Sequence, residues 1–247
     1  PGLETVNDKD GYLVNFWRAI KWDPATTAAW ADWPISEADL MARHRWIRGQ
    51  VDFLERLRDD PEYYDCRIAG WWLWGVCSSV GNNWLRHRWN GPPHLSGRQG
   101  IVHTQGADGM AVCLRELSKR LRSVRILHGD WLRCLSLKSV FNGELTGVFL
   151  DPPYSVEADR DPNVYGVEDL TVAHAVREWA IQNGDNPLLR IALCGYEGEH
   201  SMPESWTCVA WKAQGGYGSM GDGKGRKNAY RERIWFSPHC LKATLFE

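Results

Sequence analysis

Residues 147–154 have the sequence GVFLDPPY, and this stretch decides the predicted fold. The apolar run 147–150 has the length and side chains of a buried strand, and the polar residues after it mark the strand's carboxyl end. In an open α/β sheet, ligands bind at the carboxyl ends of the strands. The sequence therefore predicts a ligand site at Asp151, Pro152, Pro153 and Tyr154.

Strand and helix patterns alternate on either side of this stretch. Residues 124–128 and 188–194 have strand patterns, and residues 167–183 between them have a helical one. The last two strand patterns, 206–211 and 233–236, have no helix between them, so we expect an antiparallel ribbon at one edge of the sheet. The order predicts an α/β fold with a largely parallel sheet.

A mostly helical segment precedes the strand at 124–128. Ser36 and Asp39 resemble a capping box that begins a long helix, in which Val51 and Leu54 continue the apolar spacing. Pro61 is expected to begin the next helix.

These patterns predict two regions. Residues 1–35 and 124–247 form a catalytic domain, and residues 36–123 form a helical insert within it.

Composition excludes several classes of protein. The chain has 247 residues, 43% hydrophobic and 24% charged, which is typical of a globular domain and not of a disordered chain. It has no apolar run of membrane-spanning length and no signal-peptide pattern, so a cytoplasmic location without membrane contact is expected. The cysteines lack CxxC spacing and the histidines lack HxxxH spacing, so no metal site is expected.

Positive charge is concentrated in two zones although the net charge is −2. Residues 84–125 contain eight Lys or Arg and two acidic residues, and residues 212–233 contain six Lys or Arg and two acidic residues. Such zones are typical of a localised polyanion-binding surface. A solvated basic face with no binding role is the alternative.

The residues of the predicted site suit the chemistry of a nucleobase amine. The Asp151 carboxylate and the Pro152 carbonyl would accept hydrogen bonds from the amine, and proline holds the backbone rigidly around them. Tyr154 offers a ring on which an extruded base stacks. The alternative is a proline-rich turn whose tyrosine belongs to the core.

The motif DPPY at 151–154 resembles the catalytic motif of the Dam-type, alpha-group DNA N6-adenine methyltransferases. The resemblance implies a Rossmann-like methyltransferase sheet, S-adenosyl-L-methionine as methyl donor, and double-stranded DNA as substrate, with no metal. It also implies cofactor contacts by Asp8, by Asp130 and by Trp131, because the sequence around each of these residues is similar to a cofactor-binding segment of the family. The helical insert would then be the target-recognition region.

One expected element is not found in its usual place. The family's aromatic and glycine-rich cofactor loop would precede Asp8, and residues 1–7 do not contain it. We therefore expect that an upstream segment or a second chain supplies this loop.

The basic zones supply the candidate DNA-binding residues. Stretch 83–90 interleaves basic, aromatic and amide side chains that suit base-edge contacts and the filling of the gap left by a flipped base. Three further cations lie at helical spacing, and another three lie in a glycine-rich loop, where they suit phosphate contacts. The candidates are Trp84, Arg86, Arg88, Trp89, Arg98, Arg115, Lys119, Arg122, Lys224, Arg226 and Lys227.

The sequence leaves other functions open. Cytosine N4 methylation requires the same geometry, and RNA is a possible substrate in place of DNA. A non-catalytic or partner-dependent nucleic-acid-binding subunit is the alternative from another class.

Overall fold

The computed structural model describes residues 3–79, 82–85, 93, 106–136, 138, 141–155, 171–211 and 230–240. The helices are α1 (Gly11–Trp22), α2 (Pro24–Ala31), α3 (Glu37–Arg48), α4 (Phe53–Asp59), α5 (Cys66–Ser78), a short 3-10 helix (Asn82–Leu85), α6 (Gly106–Leu121), α7 (Trp131–Leu135) and α8 (Val172–Asn183). The strands are β1 (Glu4–Asp8), β2 (Val124–His128), β3 (Thr146–Leu150), β4 (Leu189–Tyr196), β5 (Thr207–Ala210) and β6 (Glu232–Phe236). The chain is thus a mixed α/β protein, and it divides into two compact units, Pro1–Ser136 and Leu137–Glu247.

Short polar side chains begin the main helices of the first unit. Asp10 accepts a hydrogen bond from the Tyr12 backbone N–H at 2.8 Å, and Asp65 accepts one from the Ile68 N–H at 2.8 Å. Ser36 accepts one from the Asp39 backbone N–H at 3.3 Å, which confirms the predicted start of α3. Each cap satisfies a backbone donor that has no partner within its own helix.

Two predicted helix boundaries were wrong. α3 ends at Arg48, and Val51 beyond it is 82% exposed, so the apolar spacing at 51 and 54 does not continue that helix. The next helix with a broad apolar face begins at Cys66 and not at Pro61, because Asp65 provides the capping carboxylate.

The first unit combines a two-stranded parallel sheet with a tryptophan-rich helical core. β1 and β2 pair from Glu4 opposite Val124 to Asp8 opposite His128. Buried side chains of α1, α3, α5 and α6 pack together, and several of them are aromatic. The largest fully buried ones are Trp74, Trp84, Ile20, Leu40, Ile47, Leu57 and Ile68.

The second unit is built on a four-stranded sheet of order β3-β4-β6-β5. β3 and β4 are parallel, with Val148 opposite Ile191 and Leu150 opposite Leu193, and these four side chains are buried. β6 is antiparallel to both β4 and β5. β5 and β6 thus form the antiparallel edge ribbon that the sequence predicts.

Two features differ from the sequence-based expectation. The described strands form two sheets and not one, because β1 and β2 pair only with each other among the described strands, and β3, β4, β6 and β5 form the second sheet. The compact units divide after Ser136, whereas the expected domain boundaries lie at 35/36 and 123/124. The assignment of a catalytic domain with an insert stays a prediction.

Candidate functional site

The carboxyl ends of β3 and β4 and the start of β6 meet at one end of the four-stranded sheet. β3 ends at Leu150, opposite Leu193 of β4, and Asp151 follows directly. β4 ends at Tyr196, opposite Glu232, the first residue of β6. We call this end of the sheet the β3–β4 edge. Polar side chains from distant parts of the chain lie close together there.

Tyr154 is held at the β3–β4 edge through both its hydroxyl and its ring. The hydroxyl donates a hydrogen bond to Glu232 Oε2 at 2.8 Å, and the ring lies edge-on to Tyr196 with centroids 4.6 Å apart. Burial raises the pKa of the Tyr154 hydroxyl, and the nearby carboxylates of Asp151 and Glu232 raise it further. The hydroxyl therefore stays protonated and acts as a donor.

Asp151 is an exposed residue whose carboxyl group is partly shielded from water by surrounding protein atoms. The residue is exposed while Pro152 after it is buried, so the buried proline anchors the backbone next to Asp151. Burial among protein atoms raises the pKa of the Asp151 carboxyl, and the nearby Tyr154 hydroxyl partly offsets this effect. The raised pKa makes Asp151 a stronger proton acceptor than an ordinary aspartate.

Glu199 ties the segment after Tyr154 to the end of β4. Its two carboxylate oxygens accept hydrogen bonds from the backbone N–H groups of Ser155 and Tyr196, the latter at 2.8 Å. Gly198 in the turn has φ of +80°, a backbone conformation that favours glycine. The carboxylate thus fixes the conformation of the chain at residue 155, immediately after the motif.

Sequence reasoning missed three residues of this edge: Tyr196, Glu199 and Glu232. The first two follow the apolar run of β4, so the rule that located Asp151 at the end of β3 also applies to them. Glu232 begins an antiparallel strand, and only knowledge of the strand pairing places it here.

Cys194 lies beside these acidic groups without providing a nucleophile. Burial raises the pKa of its thiol to about 12, with further contributions from Asp151 and Glu232. Because the reactive form of cysteine is the thiolate, this residue is chemically inert near neutral pH.

The expected cofactor residues lie at the carboxyl ends of β1 and β2 in the first unit. Asp8 Oδ1 accepts a hydrogen bond from the Asp10 N–H at 2.7 Å, and the Asp8 carbonyl accepts one from the Gly129 N–H at 2.9 Å. Asp130 is exposed and caps α7 through the Leu132 N–H at 2.9 Å. The parallel pairing therefore brings Asp8 and Asp130 to the same end of this sheet.

Trp131 is half-buried in the first turn of α7. It directly follows Asp130, so all three expected cofactor residues belong to the same end of the β1–β2 sheet.

The structure corrects the assignment of Trp84 as a DNA contact. The side chain is completely buried in the core of the first unit, where it packs against Gly75 and lies near the His44 ring, with centroids 6.1 Å apart. A side chain with no exposed surface presents no ring face to a base.

The predicted helical stripe of cations lies on the outer surface of α6. Arg115 and Lys119 are exposed on this helix, and Arg122 is exposed just beyond its end. Lys119 Nζ lies 2.7 Å from Glu116 Oε1, so part of its charge is compensated within the helix.

The remaining DNA-binding candidates fall outside the residues that the structure describes. They are Arg86, Arg88, Trp89, Arg98, Lys224, Arg226 and Lys227.

Two searches of the described part of the chain were negative. It contains no group of three or more His, Cys, Asp or Glu side chains arranged to hold a metal ion. Within the same residues, no helix has both the length and the apolar character needed to cross a bilayer.

The site and the fold thus define a mixed α/β protein with an acidic and aromatic edge on its four-stranded sheet. Comparisons of the chain with known protein families and with curated proteins found no match.

Proposed function

We propose that the protein is an S-adenosyl-L-methionine-dependent methyltransferase that acts on the N6 amine of adenine in double-stranded DNA. The observation that carries the proposal is the position of the 151–154 motif directly after β3, with Asp151 at the surface and the following proline buried. This arrangement supports the proposal over a buried proline-rich turn, because an exposed residue at the end of a strand is accessible to a ligand.

Asp151 orients the amine in this mechanism. Its carboxylate accepts a hydrogen bond from the exocyclic N–H of a flipped base, and the Pro152 carbonyl accepts the second. The two acceptors draw the nitrogen lone pair away from the ring and make the amine more nucleophilic. The raised pKa of Asp151 favours transfer of the departing amine proton to this carboxylate, from which it passes to solvent.

Tyr154 provides the surface on which the base stacks. Its hydroxyl hydrogen bond to Glu232 and its edge-on contact with Tyr196 fix the orientation of the ring. A fixed ring costs less conformational entropy when a base binds to it. Glu232 and Tyr196 are therefore positioning residues for Tyr154.

We assign the Asp8 carboxylate to the ribose hydroxyl groups of the cofactor and the Asp130 carboxylate to its adenine. Both are acceptors at the end of one parallel pair of strands, and each uses one oxygen for a local backbone hydrogen bond. When bound, S-adenosyl-L-methionine supplies an electrophilic methyl group on a positively charged sulfur. Asp8 would hold its ribose, and Asp130 and Trp131 would lie against its adenine.

A methylation assay tests the proposal. Protein that includes any upstream segment or partner is incubated with labelled methyl donor and adenine-containing duplex DNA, and the modified nucleoside is identified. We expect N6-methyladenine with the wild type and a loss of about 100-fold or more with Asp151→Asn, because the amide has no negative charge, cannot take up the amine proton and places an NH2 donor where a carboxylate oxygen was. Asp185→Asn is the matched control, since Asp185 is also an exposed aspartate but precedes β4, away from the β3–β4 edge.

Other results of the methylation assay would favour one of the alternative functions or overturn the role of the motif. N4-methylcytosine as the product would mean that the same mechanism acts on cytosine. Label in RNA alone would mean that RNA, and not DNA, is the substrate. DNA binding without label in any product would favour the non-catalytic subunit. Activity that survives Asp151→Asn would overturn the proposed role of the motif.

A further inference from the structure

The carboxylate of Glu199 joins two segments of the second unit that are far apart in sequence. One oxygen accepts a hydrogen bond from the Ser155 backbone N–H, directly after the 151–154 motif. The other oxygen accepts one from the Tyr196 backbone N–H at 2.8 Å, at the end of β4. Both donors are backbone groups, so the two hydrogen bonds hold the main chain of both segments. We call these two hydrogen bonds the Glu199 bridge.

Both ends of the Glu199 bridge lead to Tyr154. Ser155 is the next residue in the chain and is only 3% exposed, so its fixed backbone restricts the backbone of Tyr154. The Tyr196 ring contacts the Tyr154 ring edge-on, with centroids 4.6 Å apart. The bridge therefore restricts the position of the Tyr154 ring through the chain on one side and through an aromatic contact on the other.

Glu199 also influences the group that holds the Tyr154 hydroxyl. Glu232 Oε2 accepts the hydrogen bond from this hydroxyl at 2.8 Å. Burial raises the pKa of Glu232, and the negative charges of Asp151 and Glu199 raise it further. A carboxylate with a raised pKa is a stronger acceptor for the hydroxyl. Glu199 thus acts on the hydroxyl of Tyr154 as well as on its ring.

The surroundings of Glu199 leave its carboxylate little freedom to move. The Glu199 N–H donates a hydrogen bond to the Tyr196 carbonyl at 3.0 Å and closes the turn between them. A Cβ atom added at Gly195 would lie 3.0 Å from Glu199 Oε2 and 2.6 Å from His200 Nε2. Because His200 is buried, it has little space into which to move. The absence of a side chain at position 195 therefore permits the carboxylate to take this position.

We propose that Glu199 is a positioning residue for the methyl transfer, because its bridge holds the Tyr154 ring in the orientation in which the flipped base stacks. A base that stacks in one orientation presents its amine to Asp151 at a fixed distance, and small errors in such distances slow a reaction strongly. In this role Glu199 does not contact the substrate and takes up no proton. The inference rests on the proposed function and adds a residue from the turn after β4 to that site.

Glu199→Gln tests the bridge with little change in side-chain size. Glutamine has a single acceptor oxygen, and its NH2 group would face a backbone N–H that requires an acceptor. We expect kcat for methyl transfer, corrected for the folded fraction measured by circular dichroism, to fall about tenfold or more. KM for duplex DNA should change by less than about twofold, because the ring orientation matters mainly in the transition state. Glu197→Gln is the control with unchanged kcat, since Glu197 lies on the same turn but pairs with Arg233 at 2.7 Å.

Nuclear magnetic resonance of protein with 13C-labelled tyrosine rings tests the role of Glu199 without an activity assay. The Tyr154 signals are assigned by their loss in Tyr154→Phe. We expect them to shift in Glu199→Gln and to stay in place in Glu197→Gln. Gly195→Ala should shift them as well, because it keeps the charge of Glu199 but displaces the carboxylate.

The two measurements separate a failure of this role from a failure of the proposed function. Tyr154 signals that do not move in Glu199→Gln would overturn the role, whether or not the wild type is active. An unchanged kcat in Glu199→Gln, or an equal loss of kcat in Glu197→Gln, would also overturn it. A wild type that methylates no nucleic acid would count against the proposed function, and shifted Tyr154 signals would then still support Glu199 as the residue that orients Tyr154.

Discussion

Three carboxylates and a tyrosine hydroxyl influence one another at the β3–β4 edge. Asp151 and Glu199 raise the pKa of Glu232 in addition to the larger effect of burial, and the hydrogen bond from Tyr154 lowers it. Glu232 in turn helps to raise the pKa of the Tyr154 hydroxyl. A proton is therefore held more tightly at this edge than by isolated carboxyl groups in water.

Glu232→Gln is expected to change how stability depends on pH. Because the folded protein raises the pKa of Glu232 above its ordinary value of 4.5, its favourable contribution is complete below that value and is lost as pH rises through the raised pKa. Glutamine keeps an acceptor for the Tyr154 hydroxyl but does not ionise. The free energy of unfolding of Glu232→Gln, relative to wild type, should therefore increase from pH 4 to pH 7.

Urea unfolding at several pH values measures this difference. Glu197→Gln is the control for the loss of a nearby carboxylate. Glu197 forms an ion pair with Arg233 at 2.7 Å, whereas the Tyr154 hydroxyl donates its hydrogen bond to Glu232. A difference between Glu232→Gln and wild type that stays constant over this pH range would contradict the prediction.

At the scale of single elements, the sequence predicts strands more accurately than helix ends. The apolar runs at 124–128 and 147–150 coincide with β2 and most of β3. The end of α3 was missed because the apolar spacing continues to Leu54. The last regular helical bond joins the Gly49 N–H to the Arg45 carbonyl at 3.0 Å, and the Gln50 N–H bonds the Ile47 carbonyl, three residues back, at 3.1 Å. The periodicity of a sequence shows which side chains are apolar, but it does not show where the helical backbone hydrogen bonds stop.

The same limit of sequence-based prediction applies to the candidate site: local features can be located, but contacts between distant residues cannot. Asp151 could be located from the sequence because the end of a strand is a local feature. Glu232 could not, because its contact with Tyr154 joins residues 78 positions apart and depends on the antiparallel register of β4 and β6. Trp84 was misassigned because a tryptophan in an irregular basic stretch has no periodic pattern that indicates burial.

Gly75→Ala tests the close packing of α5 against the 3-10 helix. A Cβ atom at position 75 would overlap the Trp84 ring, which is completely buried and has no space into which to move. We expect a loss of about 1–3 kcal/mol in the free energy of unfolding, as is usual for an overpacked core. Near-ultraviolet circular dichroism should report the altered environment of Trp84.

Gly49→Ala is the matched control for this substitution. The Cβ atom at position 49 meets only backbone carbonyl oxygens at 3.4 Å, and the backbone φ of −77° suits alanine. Its effect should stay within about 0.5 kcal/mol of wild type. Equal stability of the two variants would mean that Trp84 is not packed against α5 in solution.

At the scale of the whole molecule, each compact unit has its own buried residues. The continuous apolar cluster from Val14 to Leu114 lies entirely within the first unit. The second unit buries one face of its sheet and the inner face of α8, including Val176, Ile191 and Leu193. A unit that contains a complete hydrophobic cluster has the main requirement for independent folding.

A fragment of residues 1–136 is therefore expected to fold. Its far-ultraviolet circular dichroism should be strongly helical, because α1 to α7 all lie within it, and urea should unfold it in a single cooperative transition. Leu40→Ala should lower the stability of this fragment by about 2–5 kcal/mol, since Leu40 is fully buried in the cluster. A gradual transition that Leu40→Ala does not shift would show that the cluster does not form a cooperative core without the second unit.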